Sequence, residues 1–90
     1  MADFHSDLSS EINRLPGPIL VLGASGFVGS HIFRTIYTKR KDVFGTTQRL
    51  PAWRLTNIEK DNLIVSDLLA YSSILDIISR IKPKVIFNCV

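Results

Sequence analysis

The sequence predicts an α/β fold built on a parallel sheet, and three observations carry that expectation. Apolar runs of strand length stand at residues 19–22, 43–44, 63–65 and 85–90. Segments with helical spacing of apolar residues lie between the first and second runs and between the third and fourth. Glycines at 23, 26 and 29 join the first run to the first helical segment. Strands that alternate with helices favour a parallel sheet covered on both faces.

Each element follows in order. Residues 1–18 read as a polar leader or linker, closed by Leu15-Pro16-Gly17-Pro18, which breaks any helix. Both a short amphipathic helix and a disordered leader fit this segment. Ile19-Leu20-Val21-Leu22 is a continuous apolar run, as expected of a strand buried on both faces. From Phe27 the pattern turns helical: Val28, Ile32 and Ile36 recur at four-residue spacing, and Phe33 and Tyr37 widen that face. Lys39-Arg40-Lys41 closes the helix as a solvated basic end that complements the macrodipole. Residues 42–47 form the second strand. Residues 48–57, with Pro51 and Trp53, read as a loop with room for one short helix near Leu55–Lys60. Trp53 is expected to pack within that loop. Leu63–Val65 is a short third strand, and a helix from about Ala70 to Ile81 stops at Lys82-Pro83. Residues 85–90 form a fourth strand.

Composition fits one globular unit, 46% hydrophobic and 21% charged. The net charge of +3 and pI near 9.4 come from dispersed cations, with no recognised nucleic-acid module, so no nucleic-acid partner is expected. Cys89 is the single cysteine, which excludes an internal disulfide and suits a reducing cytoplasm. Residues 1–13 carry Asp3, Asp7 and Glu11 and no apolar core, unlike a signal peptide, and the longest apolar stretch is too short to span a bilayer. His5 and His31 lack a ligand cluster, so no metal site is expected.

The chemistry lies in Gly23-Ala24-Ser25-Gly26-Phe27-Val28-Gly29. A pyrophosphate can be held without a metal by backbone N–H groups at a helix N-terminus. Side chains at the turn would keep it away. Gly23 allows the sharp exit from the strand, Gly26 the close approach of phosphate, and Gly29 tight packing of helix on strand, while Ser25 adds a hydroxyl. The strand before, the amphipathic helix after and the second strand beyond complete the context such glycines need. No Gly-Lys-Ser/Thr follows, which excludes a P-loop. The fold expected is thus a Rossmann-like parallel sheet, the β-α-β-β-α-β first half of a doubly wound domain, holding NAD(H) or NADP(H) through Gly23, Ser25, Gly26, Phe27, Val28 and Gly29. The second strand ends in Gly45-Thr46-Thr47-Gln48-Arg49, with no acid to bond a ribose hydroxyl. Thr47 can bond a phosphate oxygen, and Arg49 can pair with a 2′-phosphate or stack on adenine. NADP(H) is therefore expected over NAD(H).

The spacing Gly-x-x-Gly-x-x-Gly ending in Gly-Phe-Val-Gly resembles the extended short-chain dehydrogenase/reductase family, the NAD(P)-dependent epimerases and dehydratases of nucleotide sugars and their sugar reductases. The resemblance covers Ile19 to Val90. It implies an adenine contact for Asp67-Leu68 and a place beside the phosphates and nicotinamide ribose for Asn88, Cys89 and Val90. For Asp67 a helix N-cap, and for Cys89 plain core packing, fit equally well. The family catalyses with a Tyr-x-x-x-Lys pair and a Ser or Thr well beyond the fourth strand, and no such pair is expected here. Tyr37 lies on the first helix, away from any substrate, and Tyr71 is followed four residues later by Leu75.

Residues 19–90 are accordingly expected to be an incomplete, N-terminal half of an NAD(P)-binding domain, without catalysis of their own. The apolar fourth strand then leaves an open edge that invites a homo-oligomer. Two functions fit: the cofactor-binding portion of an enzyme whose intact form takes a nucleotide-sugar substrate, or a non-catalytic dinucleotide sensor or scaffold.

Overall fold

The computed structural model describes residues 10–50, 52–66 and 71–90. Four strands form one all-parallel sheet: β1 (Ile19–Leu22), β2 (Val43–Thr47), β3 (Leu63–Val65) and β4 (Val85–Asn88), in the order β3-β2-β1-β4. Ile19 pairs with Val43 on one side and Val85 on the other, so β1 is an interior strand, as is β2. Helix α1 (Phe27–Tyr37) joins β1 to β2, and α2 (Tyr71–Ile81) precedes β4. This is the Rossmann-like half-sheet expected from the sequence.

The continuous apolar run of β1 is explained by burial on both faces. Ile19 and Val21 pack with Phe33, Ile36, Tyr37, Val43 and Leu55, the layer that includes α1. Leu20 and Leu22 pack with Ile77 of α2, flanked by the half-buried Phe44, Ile64, Ile78 and Ile81. Phe33 is fully buried, which stabilises the fold by about 1.5–3 kcal/mol.

Several boundaries differ from expectation. The β2–β3 connection holds two 3₁₀ turns, Trp53–Leu55 and Lys60–Asn62, instead of one short helix between them. In the leader, residues 10–14 are helical, and Ile12 enters the core. Of the apolar face expected for α1, Phe33, Ile36 and Tyr37 are buried and Ile32 packs half-buried against the same core, but Val28 is 59% exposed and Gly29 takes the inward position of the first turn. The cause is Gly29. A Cβ there would overlap the Gly23 carbonyl oxygen, so α1 turns its side-chain-free position toward the end of β1.

The lower rim, where the strands begin, is closed by polar side chains. Asn62 Nδ2 donates to the carbonyls of Lys41 (2.8 Å) and Val43 (2.9 Å). Arg40 pairs with Asp42 and donates to the carbonyls of Ile12 (2.9 Å) and Leu15 (2.6 Å). Arg40 is therefore no solvated end of a basic cluster: it fastens the leader to the sheet. Its guanidinium donates hydrogen bonds that hold the Asp42 carboxyl below the usual carboxylate range, while partial burial opposes that shift.

Candidate functional site: a glycine cradle at the upper edge of the sheet

At the carboxyl end of β1 the chain must leave a buried strand and enter α1 within four residues. Gly23 makes that turn with φ at +79°, a left-handed conformation that favours glycine. The turn is held from β2. The Gly23 N–H donates to Thr46 Oγ1 (2.8 Å) and the Ala24 N–H to the Thr46 carbonyl (2.8 Å). Thr46 is fully buried, a candidate site residue not among those expected from the sequence. In sequence Thr46 is one more strand residue, and only the pairing of β1 with β2 brings its hydroxyl to the turn.

Gly26 caps α1 in an extended conformation with no side-chain cap. The first helical acceptor bond within the chain runs from the Ser30 N–H to the Gly26 carbonyl (2.8 Å). The N–H groups of Phe27, Val28 and Gly29 have no partner among the described residues, and no acid stands in the first turn. These donors, with the positive end of the macrodipole, suit an anion. A Cβ placed on Gly26 would meet only the Gly23 carbonyl oxygen, at 3.5 Å, an ordinary contact. Its φ of −75° suits any residue. Folding does not demand glycine at this position; open space above it is what a side chain would remove.

A cavity of about 170 Å³ lies over the turn, lined among others by Gly23, Ser25, Gly26, Thr46, Ser66 and Cys89. Ser66 follows β3, and its buried Oγ has no hydrogen-bond partner among the described residues. An unpaired buried hydroxyl costs free energy unless a ligand or water completes it. A second cavity of about 240 Å³ adjoins the first and shares Ser25, Thr47 and Gln48 with it.

The residues singled out from the sequence are distributed as follows. Gly23, Ser25, Gly26, Thr47, Cys89 and Val90 line the first cavity, and Arg49 lines the second. Thr47 is buried, and its hydroxyl donates to the Arg49 carbonyl (3.0 Å), which fixes the chain at the end of β2. Phe27 and Val28 flank the turn as exposed side chains. β4 ends at Asn88, short of the expected 85–90, and the residues there alternate: Cys89, just past the strand, packs on the α1-side core, whereas Asn88 is exposed and its Oδ1 accepts the Val90 N–H (3.2 Å). Asn88 does not line either cavity. Asp67 and Leu68 lie outside the described residues. Trp53, expected to pack within its loop, is 74% exposed.

A model of the NAD dependent epimerase/dehydratase family matches residues 19–90. The chain belongs to that family. No curated protein and no solved structure shows significant similarity to it. Membership in the epimerase/dehydratase family implies a nucleotide-binding domain of NAD(P)-dependent oxidoreductase type. The glycine turn, the free amides and the unpaired Ser66 hydroxyl fit such a dinucleotide. Among the described residues, no helix is long and apolar enough to cross a membrane, and no cluster of three or more His, Cys, Asp or Glu could hold a metal ion.

One expectation about the epimerase/dehydratase family's catalytic spacing needs correction. A Tyr-x-x-x-Lys pair does occur, at Tyr37 and Lys41. The fold gives it a structural task. Lys41 Nζ sits 3.6 Å from the centroid of the Tyr37 ring and donates to the Tyr37 carbonyl (3.0 Å). The Tyr37 hydroxyl accepts the Glu59 N–H (3.3 Å). Tyr37 is buried at the far end of α1, about 15 Å along the helix from the cradle.

Proposed function

We propose that the cradle formed by Gly23, Ser25, Gly26 and the first amides of α1 binds the pyrophosphate of NAD(P)(H), with NADP(H) preferred. Residues 19–90 then serve as the cofactor-binding part of an oxidoreductase acting on a nucleotide-activated sugar. The single observation that carries this reading is the Gly26 position: glycine where the fold leaves room for a side chain, directly before three amides without partners. Arg49 on the second cavity supports the NADP(H) preference, since an arginine suits a 2′-phosphate.

The bound dinucleotide would supply hydride acceptance and donation. This chain's residues bind and orient it: the α1 amides take the diphosphate, Thr46 fixes the turn, and Ser66 Oγ offers one further hydrogen bond. With the Tyr37–Lys41 pair remote from the cradle, residues 19–90 bind the nucleotide without turning it over.

Titration of NADPH fluorescence with the unaltered chain and with Gly26→Val tests the reading. Binding should be lost in the variant while its thermal unfolding midpoint stays within a few degrees, because the new Cβ meets no close neighbour. Equal affinity in both proteins would place the nucleotide elsewhere or nowhere.

A further inference from the structure

The second cavity carries more than Arg49. Arg54 lies beside it on the 3₁₀ turn Trp53–Leu55, and its side chain is placed by two contacts. The guanidinium carbon stands 4.2 Å from the centroid of the Trp53 ring, and Nη1 donates to the Ser25 carbonyl at 3.4 Å. Trp53 and Ser25 both line the cavity, so Arg54 leans on two of its walls. The turn is fixed in its own right: Arg34 Nη1, on α1, donates to the carbonyls of Arg54 (3.1 Å) and Thr56 (3.0 Å).

We propose that Arg54, stacked on Trp53 and fastened through Arg34, sets the preference for a ribose phosphate monoester in the cavity between Ser25, Arg49 and Trp53. The proposal rests on the dinucleotide reading of the glycine turn and adds to it the residue that discriminates. A phosphate monoester is a compact dianion and is held best by guanidinium forks already in place. Arg49 is an exposed side chain on a loop and loses rotamer freedom when it binds. Arg54 has already given up much of that freedom against the indole face. Its bond to the Ser25 carbonyl is long, so exchanging it for a bond to an anionic oxygen loses little. Among the described residues no carboxylate lines the cavity, and neither arginine has one within ion-pair distance. The two cations therefore have, among the described residues, no anion that competes with an incoming phosphate. Trp53, with most of its ring exposed, has a positioning task that explains a large aromatic left uncovered.

The test measures the dissociation constants of NADPH and NADH for the unaltered chain and for Arg54→Ala, Arg54→Lys, Arg49→Ala and Trp53→Ala, with unfolding midpoints as a check on folding. Arg54→Ala should weaken NADPH about tenfold or more and leave NADH within about twofold. Arg54→Lys should recover part of the loss, since it keeps charge but not the fork. Arg49→Ala should cost less than Arg54→Ala. Trp53→Ala should lower the NADPH-to-NADH preference in the same direction by a smaller factor. If Arg54→Ala does not fold, Arg54→Gln, neutral and of similar length, carries the same readout. An unchanged NADPH-to-NADH ratio in the neutral variant overturns the role of Arg54, whatever happens to the absolute affinities. Gly26→Val separates the two ideas. Loss of both nucleotides in Gly26→Val with an unchanged ratio in Arg54→Ala removes only the present proposal. Failure of the unaltered chain to bind either nucleotide removes both.

Discussion

The two rims of the sheet treat their polar groups in opposite ways. At the lower rim, Asn62, Arg40 and Asp42 spend their hydrogen bonds on the chain itself, binding Lys41, Val43, Ile12 and Leu15. At the upper rim, three helix amides and the Ser66 hydroxyl have no partner among the described residues. The same polypeptide thus satisfies its donors where it needs only to hold together and leaves them open where an anion would be received. Substitutions at the lower rim should cost stability and spare binding; those at the upper rim should do the reverse, except where helix and turn touch.

That exception gives the largest expected effect. Gly29→Ala pushes a Cβ into the Gly23 carbonyl, so α1 must move off the turn. A loss of roughly 3 kcal/mol is expected, with loss of nucleotide binding, read by urea unfolding and by NADPH titration. Stability equal to the parent would show that α1 and β1 are not locked at this point. Next comes Asn62→Leu, which orphans the carbonyls of Lys41 and Val43. It should cost about 2 kcal/mol, or roughly 10 °C in unfolding midpoint, with nucleotide affinity unchanged below the transition. An affinity that fell in step with stability would erase the contrast between the rims.

Ser66→Ala sharpens the comparison from the other side. Removing an unpaired buried hydroxyl should leave stability equal or slightly higher and weaken NADPH by about threefold to tenfold. Unaltered binding would mean that this hydroxyl faces no ligand atom. The smallest effect is electrostatic. Asp42 has its pKa lowered by Arg40 in the folded chain, so the pair's contribution is fully present above the unfolded value near 4 and fades as pH falls through the folded value. Because Asp42 is 42% exposed, the contribution is about 0.5 kcal/mol after screening. The difference in unfolding midpoint between the parent and Asp42→Asn should therefore be a few degrees at pH 6 and shrink toward zero at pH 2.5. A difference that held constant with pH would assign the effect to packing.

Much of this contrast was legible in the residues. Ile19–Leu22 announced a strand buried on both faces because no polar position interrupts it. Gly23, Gly26 and Gly29 announced the turn because their spacing matches what a strand, a phosphate and a helix require of one another. What the sequence withheld depends on contacts between distant segments. Thr46 reads as one more strand residue until β2 lies beside Gly23. Ser66 is an ordinary serine until burial strands its hydroxyl. Val28 kept the helical period but faces outward, since the inward position of the first turn of α1 is taken by Gly29. Arg40 sat in a run of cations that looked solvated, and only the return of the leader past α1 gave it carbonyls to bind. Arg54 and Trp53 were adjacent in sequence, yet their relation to Ser25 follows from the 3₁₀ turn that Arg34 fastens.

The grip of Thr46 on Gly23 and Ala24 reaches beyond geometry. The loop at the end of β1 takes its shape from a neighbour over twenty residues away in sequence, so the proposed receptor for an anion forms only after the two strands have zipped together. Occupancy and zipping are then thermodynamically linked. A nucleotide that recognises only the assembled loop must raise the melting temperature of the whole sheet as its concentration rises, and a lesion that frees the loop from Thr46 must look, in a binding assay, like a lesion of the loop itself.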